Sequence, residues 1–317
     1  MEQLLASLRA AAEPTRLRLL ALAARGSFCV MEFTEILGQS QPRLSRHLKL
    51  LCDCGLLHRL REGANVWFTL PGGEEGALAR ELVARLPLRD AILEADRRQA
   101  VRVLAERERV ASESFRGKGA DWDEMRALEL PAQAVETALA GLVVAGDKLL
   151  DIGTGTGRVL ELLAARFGQA LGVDASKQML ALARARLAKR ELNNCTVRLA
   201  DMYRLPLADG SFDTAVLQMV LHYAEDPAGA VAEAARVLAP GGRLIVIDLA
   251  EHGRTDLTAK RAHRWPGFSD DGIHRFLTAA GLNDAGAVTI PGPLDVRIWS
   301  AIRRQPARRE AQLEQIA

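Results

Sequence analysis

The chain has 317 residues, 49% of them apolar and 26% charged. That length divides most naturally into two domains, and the balance is that of a globular protein, which excludes a disordered or fibrous chain. The net charge of +2 says little about partners of the whole molecule, so any signal for nucleic acid has to be local.

No stretch approaches about 18 consecutive apolar residues, so no membrane span is expected. The opening MEQLLASLRAAAEPTRLRLL carries charges throughout and offers no signal-peptide core. Four cysteines, Cys29, Cys52, Cys54 and Cys195, make no disulfide framework. A cytoplasmic protein is the expectation.

In chain order, Leu17, Leu20, Leu22 and Ala24 follow a helical period that Pro14 and Thr15 open and Gly26 closes. A second helix is predicted over 31–37, stopped by Gly38. Gln39, Ser40 and Gln41 then make a short turn, and Pro42 suits the first position of a third helix running to about Cys52. Leu44, Leu48 and Leu51 share one face of it, with Arg43, Arg46, His47 and Lys49 on others. HRLRE and VWFTL, joined by Gly63-Ala64-Asn65, read as a hairpin. The positive charge concentrates here: Arg43, Arg46, Lys49, Arg59 and Arg61 stand against Asp53 alone.

Helix, short turn, helix and basic hairpin are the layout of a winged helix-turn-helix. The stretch FCVMEFTEILGQSQPRLSRHLKLLCDCGLLHRLREGANVWFTL resembles the arsenic-repressor (ArsR/SmtB-type) family of bacterial regulators over roughly the first 75 residues. The resemblance implies a dimeric winged-helix repressor on double-stranded operator DNA. Ser40, Gln41, Arg43, Ser45, Arg46, His47 and Lys49 would supply mixed phosphate and base-edge contacts in a major groove, and Arg59, Arg61 and Asn65 backbone or minor-groove contacts from the wing.

From about Glu74 to Ser114 the chain is charged and alanine-rich. Ile92, Ala95, Gln99, Val103, Ala105 and Val110 suggest one long helix, either a solvated linker or a dimer seam. Phe115-Arg116-Gly117-Lys118-Gly119 breaks it. Beyond, strand periods at 148–152, 170–173, 196–199, 214–217 and 243–249 alternate with helical ones such as 159–166 and 178–189, which calls for a mostly parallel sheet.

The strongest motif is KLLDIGTGTGRVLELL, an apolar strand ending in Asp151, then Gly153, Gly155 and Gly157, then a helix. Glycines there allow a tight turn and close approach of a ligand to the main chain. The spacing departs from the dinucleotide fingerprint, because Gly157 comes one residue early. Asp174 ends the next strand, where a carboxylate can hold both hydroxyls of a ribose. With RLADMYRLPL, the LPLADGSFDTAVLQMVLHY segment and RVLAPGGRLIVIDL, the set resembles class I S-adenosylmethionine-dependent methyltransferases, a Rossmann-like α/β fold, over roughly 120–300. That resemblance places Asp151, Gly153, Gly155 and Gly157 against the methionine and ribose, Asp174 on the ribose, Asp201 and Met202 on the adenine, and Gln218 near the ligand.

Methyl transfer from a sulfonium is a direct displacement that positioning and desolvation can carry. His222, Tyr223 and His252 are the candidate catalytic groups. Cysteine usage argues against arsenite chemistry, since this domain holds only Cys195, and against a metal clamp, since Val30 and Met31 follow Cys29 and the Cys52 and Cys54 side chains diverge on a helix. No metal is expected. The expected organisation is a winged helix at 1–75, a linker or dimerisation helix at 76–119, a methyltransferase-like domain at 120–302 and a polar tail at 303–317. Three readings stay open: a repressor with S-adenosylhomocysteine or S-adenosylmethionine as effector, an active small-molecule methyltransferase fused to a DNA reader, and a metal- or thiol-responsive repressor.

Overall fold

The computed structural model describes residues 1–62, 65–87, 89–116, 125, 128–254 and 263–305; Gly63, Ala64, the 117–119 break and most of the polar tail lie outside the described residues. The chain divides into two compact units, Met1–Asp123 with Gly153–Asp201, and Glu124–Ile152 with Met202–Ala317.

The first unit opens with helices α1 (Glu2–Ala11) and α2 (Pro14–Ala23), the short strand β1 (Phe28–Cys29), and helices α3 (Val30–Leu37) and α4 (Gln41–Asp53). The hairpin β2 (His58–Glu62) and β3 (Asn65–Thr69) completes an antiparallel sheet in the order β1-β3-β2. Local chemistry sets these bounds. The Glu13 carboxylate accepts the Arg16 N–H at 2.9 Å ahead of Pro14, and Gly38 ends α3 in the left-handed region at φ 64°. Leu44, Leu48 and Leu51 are buried as expected, and Phe28, Phe33 and Phe68 complete the core with ring centroids 5.6 and 6.3 Å apart. This is the expected winged helix-turn-helix. One correction concerns Asn65, which opens β3 opposite Glu62 instead of sitting in the turn.

The expected single long helix is two, α5 (Ala77–Ala84) and α6 (Ala91–Arg116), with Pro87 in the gap. Proline disfavours helix at the residue before it and donates no N–H. The buried face of α6 also differs from the expected stripe: it is Leu93, Asp96, Ala100 and Val103, while Ile92, Ala95, Ala105 and Val110 are exposed. A polar residue sets that phase. Arg18 of α2 donates to both Asp96 oxygens at 2.7 Å, a bidentate pair in which the carboxylate is almost fully buried.

After the glycine loop the same unit holds α8 (Arg158–Leu163), β5 (Phe167–Asp174), α9 (Lys177–Lys189) and β6 (Cys195–Leu199). β5 and β6 run parallel, with Asp174 opposite Leu199.

In the second unit α7 (Ala132–Leu142) precedes β4 (Gly146–Ile152). β4, β7 (Phe212–Gln218) and β8 (Leu238–Leu249) run parallel, and α10 (Pro227–Val237) connects the last two. Leu244, Ile245, Val246, Ile247 and Leu249 are all buried, the apolar run of a strand covered on both faces that Asp248 alone interrupts. Helix α11 (Asp270–Ala279) leads to two strands absent from the sequence reading, β9 (Leu282–Ile290) and β10 (Val296–Arg303); β10 pairs antiparallel with both β8 and β9. The strands are thus mostly parallel, with an antiparallel pair at the end.

Removing the Asp96 carboxylate strands the Arg18 guanidinium against α6. Asp96→Ala should lower stability by about 3 kcal/mol, the small end of the range for a broken buried pair because Arg18 keeps some access to water. The check is the urea midpoint of the transition that reports the first unit.

Candidate functional site

The glycine loop and Asp174 meet within the first unit. Gly153 and Thr154 both donate N–H to the Val173 carbonyl, at 2.8 and 2.9 Å, so the loop folds back over the end of β5. Gly172 permits that approach, since a Cβ there would lie 2.5 Å from Thr154 Oγ1. Gly153, Gly155 and Gly157 take φ of 74°, 51° and 78°, a region that favours glycine.

Asp174 ties the loop to the next helix. Its Oδ2 accepts the Gly155 N–H at 2.9 Å and its Oδ1 the Ser176 N–H at 2.7 Å. Ser176 caps α9, its Oγ accepting from the Met179 N–H. The Ala175 N–H is a third backbone donor to this carboxylate. With about four lone-pair sites, the carboxylate keeps capacity for a ribose hydroxyl. Burial pushes the Asp174 carboxyl up, against backbone N–H bonds that pull it down. The residues fit an adenosyl ligand: a glycine cradle and a carboxylate with a lone pair to spare.

The remaining expected ligand residues are placed by other elements. Asp201 closes the first unit and is exposed. In the second unit Asp151 is buried near the end of β4, Met202 is half-buried, and half-buried Gln218 ends β7. Met219 follows at φ 53°, a left-handed value rare for a non-glycine residue.

Of the expected catalytic groups, His222 has the most defined setting. It is fully buried, and its Nδ1 lies 2.6 Å from Oδ1 of Asp248, which is also fully buried. Asp248 further accepts the N–H groups of Leu221, His222 and Leu249. With Nδ1–H donating to the Asp248 carboxylate, Nε2 is the ring nitrogen left with a lone pair to accept a proton. The Tyr223 and His263 rings lie tilted against the His222 ring, centroids 4.2 and 4.3 Å away. The His252 backbone N–H donates to the Pro266 carbonyl at 2.9 Å. Asp248 and His263 were missed in the sequence. The lone acid inside LIVIDL was the available signal, because a carboxylate in an otherwise apolar strand requires partners.

The expected DNA-contact residues form a mostly exposed set. Ser40, Gln41, Arg43, Ser45, Arg46 and Lys49 are exposed on and before α4, as are Arg59, Arg61 and Asn65 on the hairpin. His47 does not join them. Its side chain is tucked in, with Nδ1 3.7 Å from Glu13 and 3.4 Å from Arg16.

Burial pushes the Cys29 thiol up, the Cys52 thiol to about 11 and the Cys195 thiol to about 12. Such thiols are poor nucleophiles and poor ligands at neutral pH. Among the described residues no cluster of three His, Cys, Asp or Glu could hold a metal ion, and no helix is long and apolar enough to cross a membrane.

Comparison with known proteins agrees with this geometry in two segments. Residues 13–59 match the family model described as bacterial regulatory protein, arsR family, and residues 150–246 match that of a methyltransferase domain. An uncharacterized 37.1 kDa protein in transposon Tn4556 of Streptomyces fradiae is 44% identical over 104 residues, 32% of this chain and 30% of that protein. A demethylmenaquinone methyltransferase of Tropheryma whipplei is 38% identical over 112 residues, 35% of this chain and 46% of that protein. The chain thus spans less than half the length of these relatives. A solved structure of a Haloferax volcanii complex, between the Trm112 methyltransferase activator and the putative methyltransferase, aligns with a TM-score of 0.52 at 22% identity, over 61% of this chain and 97% of that one, a likeness of fold. The chain joins an arsR-family helix-turn-helix segment to a methyltransferase domain.

Proposed function

We propose that the chain is a DNA-binding transcriptional repressor, working as a homodimer in the cytoplasm, with S-adenosylhomocysteine or S-adenosylmethionine as effector of its methyltransferase-like domain. The observation that carries this reading is the composition of the first unit: the glycine loop and Asp174 belong to the same compact body as the helix-turn-helix. An effector acts only through different affinities for two states, and a shared body lets one site change the other. The operator would meet α4 with Ser40, Gln41, Arg43, Ser45, Arg46 and Lys49, and the wing with Arg59, Arg61 and Asn65. Leu4, Leu5 and Leu8 on α1 and Ile92 and Val101 on α6 are exposed apolar residues suited to a second copy.

A second reading, an active methyltransferase, is favoured by the His222–Asp248 pair. Asp248 would orient His222 so that Nε2 takes the proton of an acceptor O–H or N–H as the methyl group arrives. S-adenosylmethionine would supply the methyl group.

Four outcomes test these readings. Arg46→Ala should weaken binding by about 1–3 kcal/mol, and selectively if Arg46 reads a base. Anisotropy on duplexes selected by the wild-type protein measures this; unchanged affinity for all of them removes Arg46 from the interface. Asp174→Ala should abolish S-adenosylhomocysteine binding in calorimetry with little change in the melting temperature of the free protein. Because burial raises the Asp174 carboxyl and binding needs it ionised, wild-type affinity should begin to fall on acidification at a higher pH than for an exposed aspartate. For the enzyme reading, His222→Asn should lower turnover at least about 100-fold and leave S-adenosylmethionine affinity intact; an equal rate removes His222 as the base.

A further inference from the structure

Helix α9 carries two sets of contacts on adjacent residues. Ala183 packs against the glycine loop, where a Cβ on Gly157 would lie only 3.2 Å from the Ala183 Cβ. Arg184, the next residue, is turned into the base of the wing. Its Nη2 donates to Glu62 Oε1 at 2.6 Å and to the Val197 carbonyl at 3.3 Å, and its guanidinium carbon lies 4.1 Å from the Trp67 ring centroid. Glu62 ends β2, and Trp67 sits in the middle of β3.

Glu62 has a second link to the loop. Its Oε1 also accepts the Leu199 N–H at 3.0 Å, and Leu199 is the strand partner of Asp174. From Trp67 the contacts continue to the helix-turn-helix. Arg107 of α6 lies 4.9 Å from the same ring and donates to Glu32 at 2.6 and 2.8 Å. Glu32 in turn accepts the Cys29 N–H that starts α3.

We propose that Arg184, Glu62 and Trp67 form the relay by which occupancy of the glycine loop repositions the wing and, through Arg107, the helix-turn-helix. The inference rests on the effector reading above and names its route. Asp174 is the input. It grips the N-terminus of α9 through Ser176 and faces Leu199 across the strands, so ribose hydroxyls arriving at this carboxylate act on both arms that converge on Glu62.

The relay also has room for a second arrangement. Glu62 takes only Nη2 of the guanidinium, and among the described residues the buried Arg184 Nε, Arg107 Nη1 and Trp67 Nε1 have no hydrogen-bond partner. A small shift of α9 that brings Glu62 onto both Nη2 and Nε would satisfy one of these donors. Unsatisfied buried donors are costly, so the present arrangement is not the one with every bond made.

The test uses the full chain, S-adenosylhomocysteine and a duplex selected by the wild-type protein. Glu62→Gln and the double variant Glu62→Gln/Arg184→Met remove the ion pair, and Trp67→Leu removes the ring. Each variant should bind the nucleoside and the duplex separately within about threefold of wild type. The shift in DNA affinity caused by S-adenosylhomocysteine, about 5–150-fold in wild type, should fall below about twofold. A full shift retained in the double variant overturns the relay.

If wild type shows no shift, the effector reading fails, and the relay is judged by ¹⁹F NMR of protein labelled with 5-fluorotryptophan. The Trp67 resonance, assigned through Trp67→Phe, should move on adding S-adenosylhomocysteine and stay fixed in Glu62→Gln/Arg184→Met. A resonance indifferent to the ligand in wild type overturns the relay independently of DNA.

Discussion

Arg184 and Glu62 each keep only about 4% of their side-chain surface in contact with solvent. Neither charge is stable there alone. Desolvation pulls the Arg184 guanidinium down, and the adjacent Glu62 carboxylate pushes it back. Taking two ions out of water costs several kcal/mol each, which the pair repays only with good geometry and further hydrogen bonds. Those bonds come from the Val197 carbonyl and the Leu199 N–H, and the Trp67 ring adds a cation–π contact. The wing therefore cannot leave α9 without rehydrating both ions together. That constraint joins Gly153–Asp201 to the helix-turn-helix in one body.

Two aspartates at the ends of buried strands show how the same side chain takes different tasks. Asp248 accepts three backbone N–H groups and the His222 imidazole, and is saturated. It can orient a neighbour but has little capacity for a ligand. Asp174 accepts hydrogen bonds through the Gly155 and Ser176 N–H groups, and burial outweighs them to leave its carboxyl raised. A carboxylate that burial still raises gains from an incoming hydroxyl. The imidazole that occupies Asp248, more than the residue type, separates a positioning role from a binding one.

What could be read from the sequence was whatever a single segment dictates. Positive φ at Gly153, Gly155 and Gly157 is a local demand, so the loop was legible. So was the winged helix, because Leu44, Leu48 and Leu51 repeat at helical spacing and Gly38 marks a stop. The face of α6 was not, because the residue that fixes it, Asp96, is polar and answers to Arg18, 78 positions away. Residues 283–289 of β9 are exposed on both faces and so leave no alternation to read. The Glu62–Arg184 pair spans 122 positions, and each residue by itself looks like one more surface charge. His47 shows the converse: its place in the basic helix suggested DNA, yet helical geometry turns it toward Glu13 and Arg16.

The effector and enzyme readings draw on the same nucleoside contacts and separate at the sulfur. S-adenosylmethionine and S-adenosylhomocysteine differ by one methyl group and one positive charge, both remote from the ribose. In its proposed role Asp174 bonds hydroxyls common to the two, so it sets affinity for the class and cannot rank its members. Ranking requires a group that senses the sulfonium, through charge, or the methyl group, through space. A site built for turnover would place an acceptor against that methyl group and remove its proton. A site built for sensing needs only that one member of the pair favour one arrangement of α9. The two demands fall on different residues and do not exclude each other. In a chain that met both, the product of each turnover would also be the signal, and the rate of product release would set how long the wing holds its position.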